Sequence, residues 1–204
     1  MLTPKTRRTI VVFGLLAGCV AVAALLVFRE HAPQARFRRI PAEGLAVTRH
    51  AQSMALPAGS AVVRSEAFTP LEAPFTRNAE PAGGGLTCVA VPAGSGDEPR
   101  AVRTTLNVES TGTYHAWVRA LWEDACSNSV GLQVNDAPPY TVGQDRLFNQ
   151  WHWVTAGSHE LKSGDNRIAL QNREDGIAIQ CLLFVTDPEF EPRGPLPESR
   201  ETRS

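Results

Sequence analysis

Thr113-Tyr114-His115-Ala116-Trp117-Val118-Arg119-Ala120-Leu121-Trp122 is the run that decides the fold of this chain. It holds no glycine or proline and follows the two-residue period that a β-strand imposes on its side chains. The same period recurs on both sides of it, in Ala61–Phe68, Leu86–Val91, Ala101–Val108, Ser129–Val134, Trp151–Thr155, His159–Lys162, Asn166–Gln171 and Ile177–Thr186. Turn formers separate these runs: Gly83-Gly84-Gly85, Pro92 to Pro99, Ser110-Thr111-Gly112, Asn135 to Pro139, Ala156-Gly157 and Ser163-Gly164-Asp165-Asn166. Eight or nine short strands with no amphipathic helix between them predict an all-β domain over residues 61–187, a β-sandwich or jelly roll without internal repeats.

Upstream, Thr9 to Phe28 is an uncharged apolar run of 20 residues. A helix of that length spans about 30 Å, the thickness of a bilayer's hydrocarbon core. Three readings compete for it. A cleaved secretory signal has the basic start it needs in Lys5, Arg7 and Arg8, but the apolar run is long and no A-x-A-type site closes it. A lipoprotein signal finds its pattern in Leu16-Ala17-Gly18-Cys19, but Val20 to Phe28 stays apolar. A single transmembrane α-helix preceding the β domain is the expectation carried forward. On it, Gly14 and Gly18 form a small-xxx-small face for close approach by another helix.

Basic residues flank the run almost evenly, with Lys5, Arg7 and Arg8 before it and Arg29, Arg36, Arg38 and Arg39 after it. A short tail ahead of a large following domain sets the expected topology: residues 1–8 cytoplasmic, the β domain in the periplasm of a bacterial inner membrane. Residues 29–60 read as a Pro-, Ala- and Arg-rich linker whose Arg36, Arg38 and Arg39 would touch lipid headgroups. Residues 188–204 read as a polar tail, disordered on its own.

The composition sets bounds on function. Net charge is −1, and no basic stripe interleaved with aromatics exists, which argues against nucleic acid. Cys88, Cys126 and Cys181 suffice for one disulfide and one spare thiol, with Cys88–Cys126 the expected pair. No C-x-x-C-H, H-E-x-x-H or G-x-S-x-G is present. The acidic pairs Glu123/Asp124 and Glu174/Asp175 are sequence neighbours, which a strand points to opposite faces. Enzymatic activity is not expected.

Several segments, in order, resemble the galactose-binding-like jelly rolls that include family 6 and family 35 carbohydrate-binding modules. Tyr114 to Ala120 resembles their G-x-Y-x-x-W-x-R strand. Asn128-Ser129 with Val134-Asn135-Asp136 resembles the next hairpin, and Trp151-His152-Trp153-Val154 the W-x-W strand. Leu161, Gly164, Asn166, Ile168 and Leu170 resemble the following hairpin. Arg173 to Gly176, Ile179 to Asp187, Pro192 and Gly194 resemble the closing stretch. The likeness runs from residue 61 to 194 and speaks for the fold more than for a ligand.

What the resemblance implies about sites is uneven. Family members often hold a structural calcium through an acid in the first strand and an Asp in the last. Glu66 matches the first position, whereas Gln180, a neutral amide, stands at the second, which weakens any calcium site. No other cofactor is implied. Sugar-binding members also need an exposed aromatic plate with a polar edge. Trp122, beside the loop from Glu123 to Asn128, and Trp151 are the candidate plates, Arg173 and Asp175 the candidate edge, and Asn128 a further candidate contact to ligand or partner. Trp117 and Trp153 read as packing residues, and Tyr114 as a buried tyrosine bonded to backbone.

Two functions follow. The first is a non-catalytic, single-pass accessory subunit whose extracytoplasmic jelly roll contacts other membrane-protein subunits. An energy-transducing complex such as a photosynthetic reaction centre with its antenna would suit that layout. The alternative is a membrane-tethered module that binds carbohydrate, a cell-envelope glycan in particular.

Overall fold

Residues 54–79, 87–96 and 98–196 are described by a computed structural model of the chain. They form ten strands: β1 (Ala61–Arg64), β2 (Thr76–Ala79), β3 (Thr87–Val91), β4 (Ala101–Val108), β5 (Gly112–Trp122), β6 (Ser129–Val134), β7 (Tyr140–Gly143), β8 (His152–Leu161), β9 (Gly164–Asn172) and β10 (Ile177–Val185). A single 3-10 turn, Ser65–Ala67, follows β1. The strands make two antiparallel sheets. One has the order β2-β3-β10-β5-β8, with β1 joining β10 beyond the stretch that pairs with β3; the other runs β4-β9-β6-β7. The pairs β3–β10, β4–β9, β5–β8 and β6–β7 nest like one long hairpin wound over itself, which is jelly-roll winding.

Strand periodicity explains the core between the sheets. Along β5 the residues Tyr114, Ala116, Val118, Ala120 and Trp122 all face inward. They meet Val102, Leu106 and Val108 of β4, Val130, Leu132 and Val134 of β6, and Ile168 and Leu170 of β9. Tyr114 is buried, and its hydroxyl donates to Ser110 O at 3.0 Å, fastening the turn that enters β5. Asn166 organises the β8–β9 turn. It is 1% exposed and donates to Lys162 O and Gly164 O at 2.8 and 3.1 Å, while its Oδ1 accepts from Lys162 N and from the Asn135 amide.

All nine residues of β10 are buried, so both of its faces are covered. On the outward face, part of the cover over the six-stranded sheet comes from the segment beyond Asp187. Trp153 Nε1 donates to Gly194 O at 2.8 Å, Arg193 N reaches Met54 Sδ at 3.2 Å, and Leu196 is 5% exposed. The expectation of disorder after residue 187 therefore fails for residues 188–196. An indole donor and a buried leucine hold them to the sandwich.

Other expectations are revised by the strand pattern. β2 and β7 were not anticipated: each is four residues long, and β7 follows directly on Pro138-Pro139. Two expected strands around Ala156-Gly157 are one, β8. Gly157 sits at φ +80° inside it, and the β5–β8 register shifts between His115 and Trp117. The Ala-Gly pair is thus a β-bulge, in which two residues face one, rather than a turn. The first expected strand ends at Arg64, where the 3-10 turn begins. The Cys88–Cys126 disulfide is not formed: Cys88 is buried in β3, whereas Cys126 is exposed in the β5–β6 loop.

The expected anchor over residues 9–28, its Gly14 and Gly18 face, the flanking charges, the linker as far as residue 53 and the tail beyond residue 196 lie outside the described residues. Among the described residues no helix is long and apolar enough to cross a membrane.

Candidate functional site

Two of the residues expected to touch a ligand, Trp122 and Asn128, lie at the end of β5 and in the loop after it, but they serve the fold. Trp122 is 0% exposed, so it is a core residue and not a plate. Its position explains this, because it shares the inward face of β5 with Tyr114. Trp122 Nε1 donates to Asp145 Oδ2 at 3.3 Å, and His152 Nε2 lies 3.0 Å from the same oxygen, with the two rings edge to face at 6.0 Å. Leu147 N donates to Asp145 Oδ1 at 2.9 Å. Burial alone would raise the Asp145 pKa. The Leu147 amide and then the His152 and Trp122 donors outweigh it and hold the carboxyl below its ordinary value. Asn128 is equally engaged, its amide N donating to Glu174 Oε2 at 2.8 Å and its Nδ2 to Asp145 O at 3.2 Å.

The remaining expected contacts are dispersed. Asp175 Oδ2 accepts from Gly94 N and Gly96 N at 2.8 and 3.2 Å, which ties down the β3–β4 loop. Arg173 donates to Thr141 Oγ1 across to β7. Trp151 is half-buried against Cys88, Ala90, Leu121 and Ala178 on the outer face of the six-stranded sheet, with the Arg119 guanidinium 5.7 Å from its ring centre.

Arg119 also bears on calcium. It is 7% exposed and donates to Oε1 of Gln180, itself 6% exposed and set at the bulge between Ile179 and Cys181. The position where the resemblance expects an acid is therefore bonded to a cationic side chain. Glu66 lies in the 3-10 turn and accepts from Thr87 Oγ1. Burial acts to raise its pKa, but the Thr87 bond, its own backbone N–H, Ser65 and the charge of Arg77 together leave it lowered. Calcium wants several free anionic oxygens around one point, and Glu66 and Gln180 do not supply them.

An open concavity among the described residues lies elsewhere, on the outer face of the four-stranded sheet. Arg103, Thr105, Gln133, Asn135, Arg167 and Ala169 line a furrow of about 380 Å³ there. Its cause is a register of short and long side chains. Ala169 of β9 lies between Arg103 of β4 and Gln133 of β6, so a methyl group forms the floor and two long polar side chains the walls. One step along, Gly131 faces Gln171, and a Cβ added to Gly131 would stand 3.1 Å from Gln171 Cβ.

The fold holds the walls in place. Gln171 Nε2 donates to Gln133 Oε1 at 2.9 Å, and Gln133 Nε2 donates to Ala137 O at 3.0 Å. Asn135 adopts φ +52°, and its Oδ1 accepts from Arg167 N at 2.9 Å. Arg167 pairs with Asp136. Each primary amide still has one N–H and a lone pair to offer. None of the furrow's lining residues is Asp, Glu, His or Cys.

Of the lining residues named, Asn135 alone is among those that the resemblance singles out, in the Val134-Asn135-Asp136 hairpin. The furrow itself depends on which residues stand opposite one another across three strands, which no single run displays.

No family model matches this chain, and no curated protein matches it. Solved structures do. The Podospora anserina GH26-CBM35 β-(1,4)-mannanase is 17% identical, with a TM-score of 0.49; the match covers 67% of this chain and 29% of that one. A carbohydrate-binding module from Cellvibrio mixtus lichenase 5A, in complex with cellotriose, is 14% identical with a TM-score of 0.49, over 62% of this chain and 96% of that one. A family 35 carbohydrate-binding module from Clostridium thermocellum is 16% identical with a TM-score of 0.48, over 62% and 98%. Scores at this level place the chain in no family.

Proposed function

We propose that this jelly roll is a non-catalytic saccharide-binding module and that the furrow over β4, β9 and β6 is its site. The observation that carries the proposal is the furrow's make-up: a methyl floor, a hydroxyl, two amides and two guanidinium groups. A sugar ring presents apolar C–H faces and a rim of hydroxyls, each both donor and acceptor. A small apolar floor with fixed amide and hydroxyl walls answers both needs, and about 380 Å³ lies in the range of small-ligand clefts. The lining holds no carboxylate, imidazole or thiol, and the carboxylate of Asp136 on its rim is paired with Arg167, which supports a reading of binding without turnover.

A protein-contact role finds less support on the described surface. Interface cores are built from clustered aromatic and aliphatic groups. The exposed large hydrophobic residues among those described are Tyr140 and Leu147.

The test is calorimetric titration of the protein with a panel of soluble oligosaccharides, neutral and acidic, beside two variants. Ala169→Tyr fills the floor and Thr105→Ala removes the hydroxyl. Both residues lie on the outward face of the four-stranded sheet, Ala169 being 7% exposed between Arg103 and Gln133, so a melting curve of each variant accompanies the titration. Binding by the parent that Ala169→Tyr abolishes and Thr105→Ala weakens supports the proposal. Binding unchanged in Ala169→Tyr, or no binding to any member of the panel, overturns it.

A further inference from the structure

We infer that the furrow selects saccharides bearing an anionic substituent, with Arg103 as the residue that pairs with it. The inference rests on the saccharide reading above and adds the class of sugar. Its first ground is the charge of the lining, which holds two guanidinium groups and no carboxylate. The chain as a whole carries a net charge of −1, so this local excess is not a reflection of a basic protein.

The two arginines differ in how far they are already engaged. Arg167 is paired with Asp136 on the rim, and its backbone is held by Asn135. Among the described residues, the bond found for the Arg103 guanidinium is one from Nη1 to Ala101 O, two residues back on the same strand, at 3.5 Å. That is the outer limit of a hydrogen bond, and it leaves the planar fork free to take two oxygens of one carboxylate or sulfate. Arg103 stands directly opposite Ala169, so its charge flanks the floor on which the sugar ring would rest. An anionic group on the ring edge meets the guanidinium while the ring face meets the methyl.

The surroundings set the spacing of the ligand's charges. Asp136 on the rim and Asp165, which accepts from Asn107 Nδ2 at 2.8 Å, place negative charge on the same sheet beyond the furrow. Nucleic acid or an anionic bilayer would meet those acids and find no run of cations, whereas affinity for phosphate backbones grows with the number of contacts. One accessible cation in a polar furrow fits one acidic substituent on a saccharide.

The test uses the full chain and two matched pairs of probes: a short oligomer of a 1,4-linked hexuronic acid with its neutral methyl ester, and a sulfated oligosaccharide with its neutral unsulfated parent. A charge-assisted bidentate contact predicts that an anionic probe binds about tenfold more tightly than its neutral partner at low salt. The advantage should shrink as salt rises. In Arg103→Gln the ratio of anionic to neutral affinity falls to about one, whereas Arg193→Gln, exposed on the C-terminal segment, keeps the parent ratio. Whichever anionic probe shows the advantage identifies the substituent.

Equal affinities for both members of each pair would overturn the inference while leaving saccharide binding intact. A parent ratio preserved in Arg103→Gln would remove Arg103 from the role. No binding to any probe would sink the underlying reading with it. Tighter binding to a single-stranded oligonucleotide or to phosphatidylglycerol vesicles than to either acid would move the ligand out of the saccharides.

Discussion

Gly157 lies directly beneath the ring of Tyr140: a Cβ added there would stand 2.9 Å from Tyr140 Cε2 and 3.0 Å from Cδ2. The bulge in β8 therefore lets an aromatic side chain from β7 rest on bare backbone, at the seam where the edges of the two sheets meet. His159 closes the other side edge-on, 6.3 Å from the Tyr140 ring centre.

Gly157→Ala should cost about 2 kcal/mol, because an L side chain at φ +80° is strained and the methyl group strikes the ring. Tyr140→Ala should remove the collision but not the strain. Urea unfolding of the two single variants and the double variant measures this, and the double variant should be more stable than the sum of the singles predicts. Strict additivity would refute the contact.

Trp122→Ala should unfold the domain or lower its stability by about 3–5 kcal/mol, the range for a fully buried aromatic. A ligand plate would behave otherwise: the variant would melt like the parent and lose only binding. A thermal melt alongside a saccharide titration separates the two.

The Asp145 carboxylate should make the fold sensitive to acid. Its pKa is lowered in the folded chain, so the unfolded chain takes up the proton first as pH falls. The stabilisation is fully present above the unfolded value, near pH 4, and is lost as pH drops through the lower folded value. Asp145→Asn should be less stable than the parent at pH 7, with the difference shrinking toward pH 3. A constant difference across that range, followed by denaturant midpoints, would contradict the assignment.

Ending the chain after Asp187 should lower stability by about 2–4 kcal/mol, since Leu196 loses its burial and Trp153 its acceptor. Tryptophan emission should shift to the red as the outer sheet face is wetted. A truncated chain with the parent's melting temperature and spectrum would show that the segment does not hold to the sheet.

The strands that could be read in advance were those whose pattern is local. β4 and β6 carry uninterrupted alternation, and their observed limits, Ala101–Val108 and Ser129–Val134, are the expected ones. β2 and β7 are four residues each and too short to display a period. Ala156-Gly157 misled because glycine serves a bulge as well as a turn, and only the partner strand distinguishes them.

Trp122 was legible in principle. It shares its parity with Tyr114, whose burial was expected, so the same period that defined β5 places both indole and phenol inside. The furrow was not legible, because Ala169 is unremarkable until Arg103 and Gln133 are known to flank it. Short side chains make a groove only through register, which is a property of three strands at once.

The central claim is that a saccharide lies across β4, β9 and β6. Backbone amide chemical-shift mapping of the isotopically labelled protein during titration with an oligosaccharide tests it most directly. The account predicts shifts concentrated at Arg103 to Thr105, Gln133 to Asn135 and Arg167 to Ala169, with the loops around Asn128, Asp145 and Asp175 unmoved. Shifts confined to those loops, or to the Trp151 face of the other sheet, would contradict it.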